Sequence, residues 1–368
     1  MVIGRRGFIV QASTAAAAAA TVMTDAPNVI AQPKIQWRLS TAWPKQLDLL
    51  QGLAQRLATV VEEMSGGRFR IEVFPSGQIM QAFECFEATS QGTIEAFMGV
   101  SSYWTLPPAN RDPALQWFMS IPFGMDSQGM ASWYYQGDGR KLMEETYAQY
   151  NVVPRLGPAF APQMGGWFKK KINTIGDYKG LRMRIAGLGG TVVAKAGGTT
   201  VVTPAGDIFG AFERGTIDAC EWVGPHDDMK LGLQNTARYY YYPGWHEPGT
   251  VSDFGFNRKA YDALPADLKR ILDLAAASTH IHGSTEFHDK NSAALEQLKT
   301  KFKGKVELVQ FPRPVLQDLR KLSAEVIREQ SERTPMARKV SASFARYQAQ
   351  LGPWDDVAEA SFHQLLRK

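Results

Sequence analysis

The string Phe86-Glu87-Ala88-Thr89-Ser90-Gln91-Gly92-Thr93-Ile94-Glu95-Ala96-Phe97 returns later in the chain as Phe209-Gly210-Ala211-Phe212-Glu213-Arg214-Gly215-Thr216-Ile217-Asp218-Ala219-Cys220. In both copies an amphipathic stretch reaches a glycine, Gly92 or Gly215, that can take positive φ, and a short apolar run follows at once. Each copy therefore predicts a helix, a left-handed stop and a strand. A unit used twice points to two similar lobes rather than one large sheet, although Gly-Thr-Ile-Asp/Glu-Ala is also an ordinary helix-to-strand join.

Upstream of the first copy, Ile35, Trp37 and Leu39 alternate with polar residues, the pattern of a half-buried strand. Trp43-Pro44 break the chain, and a helix is expected over 46–64. It carries Leu50, Leu53, Ala54, Leu57, Val61 and Met64 on one face, with Gly66-Gly67 as its stop. Phe69, Ile71 and Val73 alternate again, which completes a βαβ unit with a right-handed crossover. Residues 181–185 and 254–257 read as strands. Pro265 suits the first turn of a helix, and the helical pattern runs on through 266–298. Residues 314–348 are helical again, and 354–366 give a last amphipathic helix. The class is α/β, with two lobes joined by crossing strands and a long helix.

The composition, 44% hydrophobic and 21% charged over 368 residues, is that of a globular chain and excludes disorder and coiled coil. Forty-one basic against 36 acidic residues are spread along the chain, so there is no basic block to hold nucleic acid. Cys85 and Cys220 form no CxxC motif and are too few for a disulfide framework. The repeat places them in opposite lobes, so two buried thiols are expected. Arg5-Arg6-Gly7-Phe8, the Ala-rich run that follows and the small residue Ala31 have the layout of an export signal. The paired arginines and weak hydrophobicity suit twin-arginine export, with cleavage after Ala31 and a periplasmic mature protein.

Gly187-Leu188-Gly189-Gly190-Thr191-Val192 superficially matches a dinucleotide fingerprint, with Asp207 downstream. Val192 replaces the third glycine, and Arg182 and Arg184 lie in the preceding strand, whereas a central Rossmann strand is apolar. No nucleophile elbow, Walker loop or HExxH sequence occurs. His280, His282 and His288 lack the spacing that stacks ligands on a helix face and read as solvated. What remains is a set of polar residues among glycines and aromatics: Gln163-Met164-Gly165-Gly166-Trp167, Arg184, Glu221-Trp222-Val223-Gly224-Pro225 and Tyr239-Tyr240-Tyr241-Tyr242-Pro243-Gly244-Trp245-His246-Glu247. An arginine at a strand end beside glycine-rich backbone suits a small carboxylate held by two parallel hydrogen bonds. Glu221, Glu247 and the amide oxygen of Gln163 are hard ligands of the kind Na⁺ or Ca²⁺ takes. Taken singly, Arg184 reads first as a salt-bridged surface residue and Glu221 as a solvated strand end.

These strings, with Gly180-Leu181-Arg182-Met183-Arg184 and Gly206-Asp207-Ile208, resemble the solute-binding proteins of TRAP transporters, the tripartite ATP-independent periplasmic systems. Within that DctP-type family the chain is most similar to the branch that binds 2-oxo acids and related monocarboxylates, and the similarity runs from about Ile35 to near the C-terminus. The resemblance implies the two-lobed periplasmic binding protein fold with discontinuous domains. Lobe I would comprise 33–155 with 251–305, and lobe II 156–250 with 306–348, after a signal at 1–31 and before a C-terminal helix at 349–368. It implies that Arg184 clamps the substrate carboxylate. Gln163, Glu221, Trp222 through its carbonyl, and Glu247 would hold a bridging Na⁺ or Ca²⁺. Gln163, Trp222 and Tyr103 would touch the substrate, and Trp43 and Phe160 would shape the pocket wall. Phe160 and His246 depart from the branch's pattern and leave the substrate's size and shape open.

The expected function is capture of a small 2-oxo or 2-hydroxy acid and its delivery to membrane permease subunits, with no bond chemistry and no enzyme activity. A homodimer through the C-terminal helix is implied for relatives; in this sequence that helix can equally dock within the chain. Two rival readings stay open at this point, a periplasmic cofactor-dependent oxidoreductase and a sugar-binding protein that stacks its ligand on the aromatic clusters.

Overall fold

A computed structural model describes residues 34–107, 111–160 and 162–366; the expected signal and its cut at Ala31 lie outside the described residues. The alternation at Ile35 becomes strand β1 (Ile35–Thr41), and that at Phe69 becomes β2 (Phe69–Phe74). The two run parallel, Ile35 opposite Phe69 and Leu39 opposite Val73. The Asp48–Met64 helix between them buries Leu50, Leu53, Leu57 and Val61, and it stops at Gly66 and Gly67, with φ of 62° and 77°. Truncating a leucine such as Leu53, buried without exposure, would cost about 2–5 kcal/mol.

Both copies of the repeated unit fold as their sequence predicts. Helix Cys85–Ser90 leads through Gly92 (φ 78°) into β3 (Ala96–Gly99), and helix Ala205–Glu213 leads through Gly215 (φ 67°) into β8 (Ala219–Cys220). β3 and β8 lie in different sheets, which is the two-lobed arrangement. The first sheet has the order β2-β1-β3-β10-β4, with β4 at Val152–Ala159 and β10 at Val251–Asn257. β10 is buried along its whole length, and a side chain at Gly255 would stand 2.0 Å from the Phe97 ring, so only glycine fits there. The second sheet has the order β11-β9-β5-β8-β6-β7. Its remaining strands are β5 (Gly166–Phe168), β6 (Arg182–Arg184), β7 (Thr199–Val201), β9 (Tyr239–Tyr242) and β11 (Glu307–Gln310). In this sheet Trp167 stacks on Tyr240 at 3.9 Å, and both donate hydrogen bonds to the buried Asp228. Cys85 and Cys220 are free buried thiols, one in each lobe, as the repeat implies.

The long helix spans Ala266–Thr300, with Pro265 just before it rather than in its first turn. Its side chains meet both lobes. Gly283 lies against Pro158, Phe287 packs on Phe160, and Asn291 accepts from the backbone N–H of His226. His280, expected at the solvated surface, is instead buried, with Nδ1 2.7 Å from the Gly157 carbonyl, and burial lowers its pKa. Helix spacing could not reveal that β4 lies across that face. The helical stretch at 314–348 is two helices, Arg313–Ser331 and Pro335–Asp355, divided where the Thr334 hydroxyl caps the second. The expected last helix begins inside the second of these and continues through a π turn, Asp356–Ala360, into Ser361–Leu366. Trp354, Val357, Phe362, Leu365 and Leu366 are all more than half exposed along it. Among the described residues no helix is long and apolar enough to cross a membrane.

Candidate functional site

β6 and β8 run parallel and pair Arg184 with Cys220, so their carboxyl ends bring Arg184 beside Glu221. Such strand ends are where open α/β sheets present ligand sites. The Glu221 N–H donates to the Arg184 carbonyl at 3.0 Å. In return Nη1 of Arg184 donates to the Glu221 carbonyl at 2.7 Å and to its Oε1 at 2.5 Å. The N–H of Ala186 donates to the same Oε1 at 3.1 Å. Arg184 is 1% exposed, and its guanidinium lies 4.8 Å above the Trp222 ring. Burial alone would lower its pKa, but the Glu221 carboxylate outweighs that and the value rises, so the charge is held.

The two segments that cross between the sheets, at Phe160 with 162–165 and at 243–250, run side by side. Phe160 N–H donates to the Thr250 carbonyl and Gln163 N–H to that of Glu247. This lays the Gln163 amide on the Glu247 carboxylate, Nε2 to Oε2 at 2.5 Å, with the Thr250 hydroxyl donating to the same oxygen at 2.9 Å. Tyr103 reaches in from the first lobe, its hydroxyl 3.5 Å from Nη2 of Arg184; burial pushes this phenol up to about 12, so it stays protonated. A small, tight cavity of about 20 Å³ remains, lined by Tyr103, Gln163, Arg184, Glu221, Trp222 and Glu247, with Trp43 and Phe160 as an apolar wall. The structure thus brings Tyr103, Gln163, Arg184, Glu221, Trp222 and Glu247 to one place, whereas the Tyr239–Tyr242 run and Trp245 do not line it.

Two features of the donor set fit a cation. Gln163 Oε1 is buried with no partner among the described residues, although an amide oxygen accepts readily. Ligand atoms of Glu221, His246 and Glu247, all buried, lie within 4.8 Å of one another. Burial, and after it the nearby Glu221 charge, raise the Glu247 pKa well above the ordinary carboxylate range, so its charged form lacks compensation at this site. His246 is the member that residue reasoning did not place: its Nε2 stands 3.4 Å from Glu221 Oε2, and neither ring nitrogen has a hydrogen-bond partner among the described residues. Its signal was adjacency to Glu247. Thr250 and the Ala186 N–H left no signal in the sequence. The glycine run at 187–190, which is not a cofactor loop, serves close approach, since a side chain at Gly189 would stand 2.7 Å from the His246 Cβ.

Two α/β lobes closing on an arginine, two carboxylates and an amide define an extracellular solute-binding protein. Residues 39–334 match the bacterial extracellular solute-binding protein family 7, and the chain belongs to that family, the solute-binding proteins of TRAP transporters. It is 37% identical over 330 residues to a monocarboxylate 2-oxoacid-binding periplasmic protein of Nostoc sp., covering 90% of this chain and 88% of that one. A TRAP periplasmic solute-binding protein from Pseudoalteromonas atlantica, solved with sodium and pyruvate, superposes with a TM-score of 0.86 at 35% identity, over 90% of this chain and 99% of that one. A TRAP solute-binding protein from Bordetella bronchiseptica, a dimer with calcium and picolinate in its occupied site, gives 0.86 at 33% identity, over 91% and 97%. The chain is therefore a periplasmic transport receptor that serves membrane subunits, and the oxidoreductase reading gives way to it.

Proposed function

We propose that this protein captures a small 2-oxo or 2-hydroxy monocarboxylate together with Na⁺ or Ca²⁺. The observation that carries this is the single small cavity shared by Arg184, Tyr103, Gln163, Glu221, Trp222 and Glu247. Arg184 clamps the solute's carboxylate with the donors that Glu221 leaves free, and Tyr103 donates to the same group. Gln163 through Oε1, Glu221, Trp222 through its carbonyl and Glu247 hold the cation, with His246 alongside. The cation supplies the positive charge that lets a carboxylate enter a site where two glutamates already face one arginine. Without it the buried site would gather uncompensated negative charge, which is costly away from water. Chelation through a carboxylate and an adjacent keto or hydroxy oxygen then selects 2-oxo and 2-hydroxy acids over simple fatty acids. The relatives from Nostoc, Pseudoalteromonas and Bordetella support this class of ligand.

The same reading assigns residues 33–155 with 251–305 to lobe I and 156–250 with 306–348 to lobe II. It assigns 1–31 to a twin-arginine signal and the C-terminal helix to a homodimer. The exposed stripe of Trp354, Val357, Phe362, Leu365 and Leu366 supports that dimer, as does the dimeric Bordetella relative. Calorimetry with pyruvate, lactate and butyrate, each with and without Na⁺ or Ca²⁺, tests the proposal. Pyruvate and lactate should bind far more tightly with the cation, and butyrate weakly throughout. Equal binding of all three, or no cation dependence, overturns it.

A further inference from the structure

We infer that Asp48, His226 and Asp227 form a second metal site, for a divalent transition metal such as Zn²⁺, that ties the two lobes together outside the solute cavity. Asp48 opens the Asp48–Met64 helix against the first sheet, whereas His226 and Asp227 belong to the short Pro225–Lys230 helix that follows β8 of the second. Ligand atoms of all three residues lie within 4.8 Å of one another. Nε2 of His226 is 3.4 Å from Asp48 Oδ1 and 4.0 Å from Asp227 Oδ1. Ligands about 2.0–2.1 Å from a tetrahedral ion stand roughly 3.4 Å apart, so a small inward shift of Asp227 completes the geometry.

The observation that points to a ligand is Asp227. It is wholly buried, and neither carboxylate oxygen accepts a hydrogen bond from any described residue. A buried carboxylate without partners is costly, and metal coordination is a direct way to satisfy it. Its neighbours are arranged to allow this. Lys230 engages Oδ2 of Asp48 at 3.0 Å and leaves Oδ1 turned to the imidazole. The His226 backbone is fixed by Asn291 of the long helix at 3.0 Å. His226 is partly exposed and Asp48 largely so, which gives an ion a path from solvent. An imidazole with two carboxylates is a donor set that Zn²⁺ takes.

Equilibrium dialysis of the full chain against Zn²⁺, in excess Ca²⁺ and pyruvate so that the solute cavity is filled, tests the site. Wild type should take up one Zn²⁺ per chain, and Co²⁺ in its place should give the visible absorption of a tetrahedral site. H226A, D227N and D48N should each weaken uptake roughly tenfold or more, the scale of a disrupted metal shell. E247Q should keep it. Pyruvate binding by the three variants with Ca²⁺ alone reports that they are folded. Absence of zinc uptake by wild type overturns the site, as does loss of the zinc equivalent in E247Q with retention in H226A, which would place the ion in the solute cavity. Undiminished affinity in D48N overturns the link between lobes.

Discussion

Arg184→Lys isolates the clamp from the fold. Arg184 spends Nη1 on Glu221, at 2.7 and 2.5 Å, while Nη2 faces Tyr103 at 3.5 Å and Nε has no partner among the described residues. A lysine keeps the charge and can still neutralise Glu221, but one ammonium cannot serve that carboxylate and a solute carboxylate in two directions. The loss is one charge-assisted hydrogen bond to the solute, about 1.5–3 kcal/mol, which is roughly a 10- to 150-fold weaker complex. Arg184→Ala differs in kind. It leaves the 1%-exposed Glu221 without its counter-charge and should cost about 3–5 kcal/mol of folding stability. Titration calorimetry with pyruvate at saturating Ca²⁺ measures the first effect, and denaturant unfolding the second. If the lysine variant binds pyruvate within about threefold of wild type, the carboxylate is not held by Arg184 and the clamp is refuted.

Three further outcomes follow from the same geometry. Glu247→Gln keeps an oxygen for the Gln163 amide and the Thr250 hydroxyl but removes a charge from the cation site, so the gain in pyruvate affinity on adding Ca²⁺ should largely vanish; an undiminished gain contradicts the ligand set. Asp253 is wholly buried and accepts from Tyr147 and Trp104, and burial pushes it from 3.8 up to about 6. Because the folded state then holds the proton more tightly, its contribution is full below about pH 3.8 and is lost as pH rises to about 6, on the order of 2–3 kcal/mol. Unfolding free energies of D253N should therefore fall less than wild type across that window, and parallel curves would contradict the assignment. Ending the chain after Asp355 removes Val357, Phe362, Leu365 and Leu366, and light scattering should show a dimer for the full chain and a monomer for the truncated one, with the melting temperature little changed; a monomeric full chain, or a truncated chain that still dimerises, rules out this helix as the interface.

The parts of the fold that are local were legible in the sequence. Gly66-Gly67, Gly92 and Gly215 stop their helices because a left-handed residue is needed there, and the alternation at Ile35 and Phe69 reports one buried strand face each. β9 was harder to read. A run of four tyrosines gives no alternation, and only the stacking of Trp167 on Tyr240 and the Asp228 carboxylate beneath them explain it. β11 gave no signal, since its four residues pair only with β9 at a sheet edge. The long helix shows no single apolar stripe because Leu272, His280, Phe287 and Leu298 are buried against different neighbours along its length. The site is the least local feature of all. Arg184 and Glu221 meet through strand register, and Gln163 and Glu247 through two crossing segments, so the family resemblance rather than any spacing brought them together.

The place of β10 in the first sheet also fixes the order in which this chain can fold. β10 lies between β3 and β4, antiparallel to both, with Phe254 opposite Met98 and Phe256 opposite Val153. Until residue 257 has been synthesised, β3 has an open edge and β4 has no partner in the sheet. The whole second lobe up to Tyr242 is thus made before the first can close. Pairings this distant in sequence must meet the entropy of closing a long loop before any contact rewards them, so folding should be slow and late on the ribosome. The wall that Phe160 lends to the solute cavity arrives later still, because it leans on Phe287 of the long helix. The first sheet and the wall of the binding site are therefore completed by the same late stretch of chain, Val251–Asn257 and the long helix after it.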